Sequence, residues 1–180
     1  MTNELKSRSK KVLSNVIGRF FDLEISHGSG SYLYTHDNKK YLDFGAGIAV
    51  TSTGHCHPDI VSAIQKQATT LIHPCIATGH YESPIVLAEK LCTILKPHDC
   101  SIFFNQSGSE AVETAIKLAR YVSKKQTIIA FEGSFHGRTY GALSLTSSKK
   151  KYWEGYGKLL DDITFIPVEN IREVLKVVFA

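Results

Sequence analysis

The chain has 180 residues, 43% hydrophobic and 21% charged, with a formal net charge of +4. That length allows one domain, or one and a fragment, at about 100–200 residues per domain. The balance of apolar and charged residues excludes global disorder and a fibrous or collagen-like chain.

The four cysteines, Cys56, Cys75, Cys92 and Cys100, are sparse for this length. They do not suggest a disulfide framework, and reduced thiols in a cytosolic setting are expected. The basic excess is spread out, and the run Lys149, Lys150, Lys151 fits a solvated turn better than a nucleic-acid patch. The N-terminal residues have no apolar stretch of the kind a secretory signal needs. No apolar run approaches the roughly 20 residues that span a bilayer. A cytoplasmic protein is expected, with neither nucleic acid nor membrane as a partner.

Residues 31–44 alternate as a hairpin does, with a turn at His36, Asp37, Asn38 and Lys39. A Gly-rich connector follows, through Gly45, Gly47 and Gly54 to the word Gly54-His-Cys-His-Pro58. Pro58 suits the first turn of a helix, and Ile60, Val61, Ile64, Ala68 and Leu71 recur at helical spacing. A second helix is predicted over 82–95, with Pro97 as its stop. The rhythm then changes: a strand over 101–104, a helix over 108–123, strands over 127–131 and 163–166, and a helix over 169–179. Strand–helix–strand order with continuous apolar strands predicts an α/β fold, a parallel or mixed sheet covered by helices. Residues 1–55 lack this rhythm and belong to a separate structural layer. The chain ends on Val177-Val-Phe-Ala180 without a cap or a polar tail, and such an end looks cut.

The strongest local signal is Ser101-Ile-Phe-Phe-Asn-Gln-Ser-Gly-Ser-Glu110, an apolar stretch that runs into a Ser-Gly-Ser turn opening a helix. Free N–H groups in that first turn carry part of the positive end of the helix dipole. Gly108 lets an anion approach the backbone, and Ser107 and Ser109 add hydroxyls, which makes a phosphate seat. The same letters also fit a capping box, Ser107-Gly-Ser-Glu110, and both can hold at once. The helix is expected to turn Ala111, Val112, Ala115, Ala119 and Val122 inward and to pair Glu113 with Lys117 outside.

After the next strand comes Phe131-Glu-Gly-Ser-Phe-His-Gly-Arg-Thr139. The carboxyl ends of parallel strands converge on one crevice, so Phe135, His136 and Arg138 are expected beside the Ser-Gly-Ser turn. An aromatic face, an imidazole and a guanidinium there suit a flat aromatic phosphate and an anionic substrate. The competing reading is a Gly-flanked turn with Phe135 in the core and Arg138 in solvent. His55, Cys56 and His57, with His73 and Cys75 further on, carry zinc-type donors, but H-C-H is not zinc spacing, and no metal is expected.

Four words occur in one order: Tyr41-Leu-Asp-Phe-Gly-Ala-Gly-Ile-Ala-Val50, Gly54-His-Cys-His-Pro58, Ser107-Gly-Ser-Glu-Ala-Val-Glu113 with Lys117-Leu-Ala-Arg120, and Phe135-His-Gly-Arg-Thr139. Together they resemble the N-terminal half of a class III (ω-amino acid) aminotransferase of fold type I, closest to the 4-aminobutyrate, acetylornithine and ornithine enzymes. The resemblance implies pyridoxal 5′-phosphate (PLP) as cofactor, an ω-amino acid such as 4-aminobutyrate as donor, a 2-oxo acid such as 2-oxoglutarate as acceptor, and a homodimer. At matching positions it implies that Ser107, Gly108 and Ser109 hold the cofactor phosphate. Phe135 and His136 would lie by the ring, Arg138 would bind a substrate carboxylate, and Ile48 would line the substrate channel. It divides the chain into 1–55, part of a small domain, and 56–180, an incomplete cofactor-binding domain. The family's Schiff-base lysine follows a strand carrying an Asp-Glu pair, and no Asp-Glu dipeptide occurs here. The catalytic lysine is therefore expected beyond this chain, and these 180 residues alone are expected to be inactive. The alternative is a truncated paralogue without catalysis, or a phosphate-binding or interaction module.

Overall fold

The computed structural model describes residues 4–16, 18–96 and 99–167; the helix predicted over 169–179 lies outside the described residues. The chain divides into two compact units, Met1–Tyr81 and Glu82–Ala180.

The first unit opens with α1 (Glu4–Val12), followed by an antiparallel meander of β1 (Ile25–Ser29), β2 (Tyr32–Thr35) and β3 (Lys40–Leu42). The predicted hairpin supplies β2 and β3, and β1 adds a strand that the sequence pattern did not reveal. The β2–β3 turn closes on Thr35: its carbonyl accepts from Asn38 N–H at 3.0 Å, and its N–H donates to the Lys39 carbonyl at 3.0 Å. Asn38, in the left-handed region at φ 60°, is a residue type that tolerates it. A single turn, α2 (Ala46–Ala49), leads on to α3 (Pro58–Thr70). Helix α3 starts where predicted, with Pro58 in its first turn and His57 as its cap, the imidazole accepting from Asp59 N–H.

The second unit holds α4 (Glu82–Leu95), α5 (Gly108–Ser123), β4 (Ile128–Phe131), α6 (Tyr140–Ser144), a 3₁₀ turn (Lys150–Tyr152) and β5 (Ile163–Ile166). Strands β4 and β5 pair in parallel, Ile128 opposite Ile163 through Phe131 opposite Ile166. Their core consists of Ile116 from α5, Ala130 from β4 and Leu145 at the end of α6, with Val112, Ile128 and Ile163 packed around it. Arg120 fastens the far end of α5 to both strands' beginnings, donating to the carbonyls of Gln126 at 2.9 Å and Asp161 at 3.0 Å. The parallel β4–β5 pair, with α5 and α6 packed beside it, agrees with the α/β reading of the sequence.

Three expectations need correction. Residues 101–104 form no strand, because an extended segment becomes a strand only by pairing, and β4–β5 is the sheet of this unit among the described residues. The buried line of α5 runs through Val112 and Ile116, whereas Ala111, Ala115, Ala119 and Val122 are exposed. The cysteines are not all reduced: Cys92, near the end of α4, is bonded to Cys100 with Cα atoms 5.6 Å apart, while Cys56 and Cys75 are free and exposed. Counting cysteines could not anticipate one short-range bridge, which needs only that a helix end and the returning chain lie within bonding distance. The apolar stripes of α3 and α4 contain no buried residue, and Ile64, for example, is 63% exposed.

Alkylation of the denatured, unreduced chain should therefore modify two thiols, Cys56 and Cys75, and alkylation after reduction should modify all four; intact mass reads both numbers.

Candidate functional site

The second unit builds a site from the start of α5 and the segment after β4. Ser107 is the N-cap of α5, with extended backbone, and its hydroxyl accepts from Glu110 N–H at 3.2 Å. That cap takes the third amide of the turn. The N–H groups of Gly108 and Ser109 have no partner among the described residues. A Cβ on Gly108 would meet nothing within 4 Å, so the backbone here is open to a ligand from outside. Ser107 thus caps the helix and still leaves two amides of a 16-residue helix for an anion.

Residues 132–139 reach this turn. Arg138 N–H donates to Ser109 Oγ at 3.4 Å. Gly137 has φ 139°, and a Cβ there would lie 2.3 Å from Ser109 Oγ and 3.0 Å from both Ser109 Cβ and Ala142 Cβ. Only glycine lets the two segments approach this closely. The front of the loop is held elsewhere: His136 N–H donates to Thr146 Oγ1 at 3.0 Å, and the Ser134 hydroxyl donates to the carbonyls of Phe131 and Leu145. Phe135 is 54% exposed and touches Tyr152 edge-on at 5.4 Å. It is not the core residue of the competing reading. The structure thus brings Ser107, Gly108 and Ser109 together with the Phe135, His136 and Arg138 loop.

Glu113 is the residue that the sequence reading misplaced. Its carboxylate does not face Lys117 in an ion pair but reaches the segment before α6. One oxygen, Oε1, accepts from Thr139 Oγ1 at 2.7 Å, Gly141 N–H at 2.8 Å and Ala142 N–H at 3.2 Å. Partial burial pushes the carboxyl up, yet these hydrogen bonds, led by that from Thr139, outweigh it and hold the group below its usual range. The signal available in the sequence was position: Glu113 stands four residues after Ser109, on the face that already carried the seat. A cleft of about 350 Å³ opens along α5, lined by residues 103–106 with Glu110, Glu113, Thr114 and Lys117; it contains none of the predicted site residues.

Ile48 lies in the first unit, 84% exposed, within the turn α2. That turn is wound left-handed at Ala46, Gly47, Ile48 and Ala49, with φ 43°, 62°, 67° and 60°. For a β-branched residue this conformation is costly. Asp43 holds it: Oδ1 accepts from Gly45 N–H and Ala46 N–H, each at 2.9 Å, and Oδ2 lies 2.7 Å from His55 Nε2. The His55 hydrogen bond, foremost, with the two amides keeps the Asp43 carboxyl below its ordinary range. His55 is in turn fixed by backbone bonds to Gly30 in both directions. So His55 orients a carboxylate and His57 caps α3. Among the described residues no group of three or more His, Cys, Asp and Glu is placed to hold a metal.

Residues 14–176 match the aminotransferase class-III family. The chain belongs to the class-III aminotransferases. It is 41% identical over 175 residues to an acetylornithine aminotransferase of Caldanaerobacter subterraneus, covering 94% of this chain and 43% of that one. To a probable 4-aminobutyrate aminotransferase of Bacillus subtilis it is 40% identical over 141 residues, 78% of this chain and 32% of that one. An alanine/serine racemase of Pyrococcus horikoshii is 38% identical over 168 residues, 93% of this chain and 35% of that one. The class-III chain thus spans less than half the length of these relatives. In fold it superposes on an ornithine aminotransferase from Toxoplasma gondii, a structure with PLP at partial occupancy, with a TM-score of 0.86 at 21% identity, over 99% of this chain and 43% of that one. It superposes on an ω-transaminase from Thermomicrobium roseum with a TM-score of 0.81 at 26% identity, over 92% and 40% of the two chains.

Gly137→Ala combines overpacking with an unfavourable φ and should cost about 1–3 kcal/mol, read as a lowered urea midpoint. Asp43 and Glu113 both have folded-state pKa values below the ordinary 3.8 and 4.5. Their contribution to stability is therefore complete above the unfolded values and is lost as pH falls through the folded ones. Stability measured from pH 6 down to about pH 2 should fall less steeply in a chain carrying Asp43→Asn and Glu113→Gln than in the wild type.

Proposed function

We propose that this chain is the cofactor-seating part of a PLP-dependent aminotransferase that transfers an amino group from an ω-amino acid, such as 4-aminobutyrate, to a 2-oxo acid, such as 2-oxoglutarate. The observation that carries this reading is the open first turn of α5, latched at Ser109 to the loop of Phe135, His136 and Arg138. The two unpartnered amides, the bare face of Gly108 and the neighbouring hydroxyls fit a phosphate monoester in number and in charge.

Ser107, Gly108 and Ser109 hold the phosphate. Phe135 presents an aromatic face, and His136 stands beside the ring. Arg138, a planar fork that stays charged, takes a substrate carboxylate. Ile48 forms a wall of the donor channel, its exposed side chain presented by the Asp43-held turn. When bound, PLP supplies the electron sink for breaking bonds at the amino-bearing carbon; Arg138 fixes where the substrate carboxylate lies. A homodimer, a cytoplasmic location and the division into 1–55 and 56–180 belong to the same reading. No helix among the described residues is long and apolar enough to cross a membrane. The Cys92–Cys100 bond pulls against the cytoplasm, where thiols are kept reduced.

A second reading has an observation of its own, the similarity to an alanine/serine racemase. Racemisation uses the same cofactor seat but needs no 2-oxo acid. The test is to load the full-length protein with PLP and follow its visible absorbance with 4-aminobutyrate, acetylornithine and L-alanine in turn. A donor that bleaches the absorbance, with glutamate formed once 2-oxoglutarate is added, is the expected result. Formation of D-alanine without glutamate selects the racemase, and failure to take up PLP refutes both.

A further inference from the structure

The loop that carries Phe135, His136 and Arg138 is tied at two ends of different kinds. Its front is tied within its own neighbourhood, by His136 to Thr146 and by Ser134 to the carbonyls of Phe131 and Leu145. Its rear reaches α5, where Arg138 N–H makes only a long bond to Ser109 Oγ. Immediately behind Arg138, Thr139, Gly141 and Ala142 all converge on a single carboxylate oxygen of Glu113. Space confirms the fit: a Cβ on Gly141 would stand 2.3 Å from Glu113 Oε2, so the residue next to the carboxylate has no side chain.

We propose that Glu113 is a positioning residue whose carboxylate holds the rear of the 132–139 loop on α5, keeping Arg138 and its neighbours in register with the anion seat. The proposal rests on the reading of that seat as the cofactor phosphate site. Glu113 touches neither cofactor nor substrate in this role. It acts through Thr139, Gly141 and Ala142, and its effect falls on the side of the loop nearest Arg138, because Ser134 and His136 keep their own bonds. The hydrogen-bond acceptor is what matters: a carboxamide oxygen accepts from the same three donors, whereas a methyl accepts from none.

The experiment compares wild type, Glu113→Gln and Glu113→Ala in the full-length chain, with two readouts. The first is amide hydrogen exchange at residues 138–142 without ligand; the second is PLP affinity by absorbance titration. Glu113→Ala should speed exchange at Gly141 and Ala142 and weaken PLP binding, each by roughly tenfold, whereas Glu113→Gln should stay within about threefold of wild type on both. Unchanged exchange in Glu113→Ala overturns the proposal, as does wild-type PLP affinity alongside exposed amides, or a Glu113→Gln chain as impaired as Glu113→Ala. If the wild type takes up no PLP, the cofactor reading fails by itself, and the exchange of the three ligand-free chains still decides whether Glu113 holds the loop.

Discussion

Helix α5 and the segment 137–142 meet where neither has room to spare, and the placement of the second unit's candidate site follows from that contact. Gly137 and Gly141 remove the side chains that would keep the two apart, and each faces a polar group of α5, Ser109 and Glu113 respectively. The approach therefore ends in hydrogen bonds rather than in apolar packing. Apolar contact alone, through Ile116 and Leu145, would place α5 near the strands without fixing its rotation. The polar latches set the rotation and so decide which face of the first turn looks outward.

The same helix start serves two ends without conflict. Ser107 spends its hydroxyl on Glu110 N–H, which satisfies the third orphan amide and leaves the first two for a ligand. A comparable division of labour operates in the first unit. Asp43 divides its oxygens, one for two backbone amides and one for His55, and thereby supports a turn that Ala46, Ile48 and Ala49 would not adopt unaided. Asp43 stabilises a backbone conformation that its neighbours disfavour, whereas Ser107 caps an ordinary helix start.

Much of this was legible in the residues. Helices α3, α4 and α5 and strand β5 stand where periodicity, Pro58 and the Ser107 cap put them, because those signals act within a few residues of the chain. The joining of the Ser-Gly-Ser turn to the Phe135–His136–Arg138 loop is as expected, although the expectation rested on convergent strand ends and the stretch before that turn forms no strand. What was not legible depends on partners distant in sequence. The stretch 101–104 has strand composition but pairs with no strand among the described residues. The Cys92–Cys100 bond needs a helix end and a returning chain in one place. Glu113 fits an i,i+4 pair with Lys117 as well as any surface glutamate does, and only the fold, by bringing residues 139–142 alongside, gives it better partners. The left-handed α2 turn was hidden for a similar reason, since its support comes from Asp43 and His55 rather than from its own letters.

The parallel pairing of β4 with β5 also has a consequence in time. No ladder bond between Ile128 and Ile163 can form until the whole stretch between them has been traversed, and parallel pairs of this kind are slow because loop closure comes before any reward. The Glu113 contacts alter that schedule. They join α5 to α6 across fewer than thirty residues, and with Ser134 bonded to the chain at 145–148 they gather the first half of the crossover onto β4. What is left for β5 to close is a shorter loop, and closure entropy falls with loop length. The contacts of one carboxylate thus shorten the segment across which β5 meets its partner.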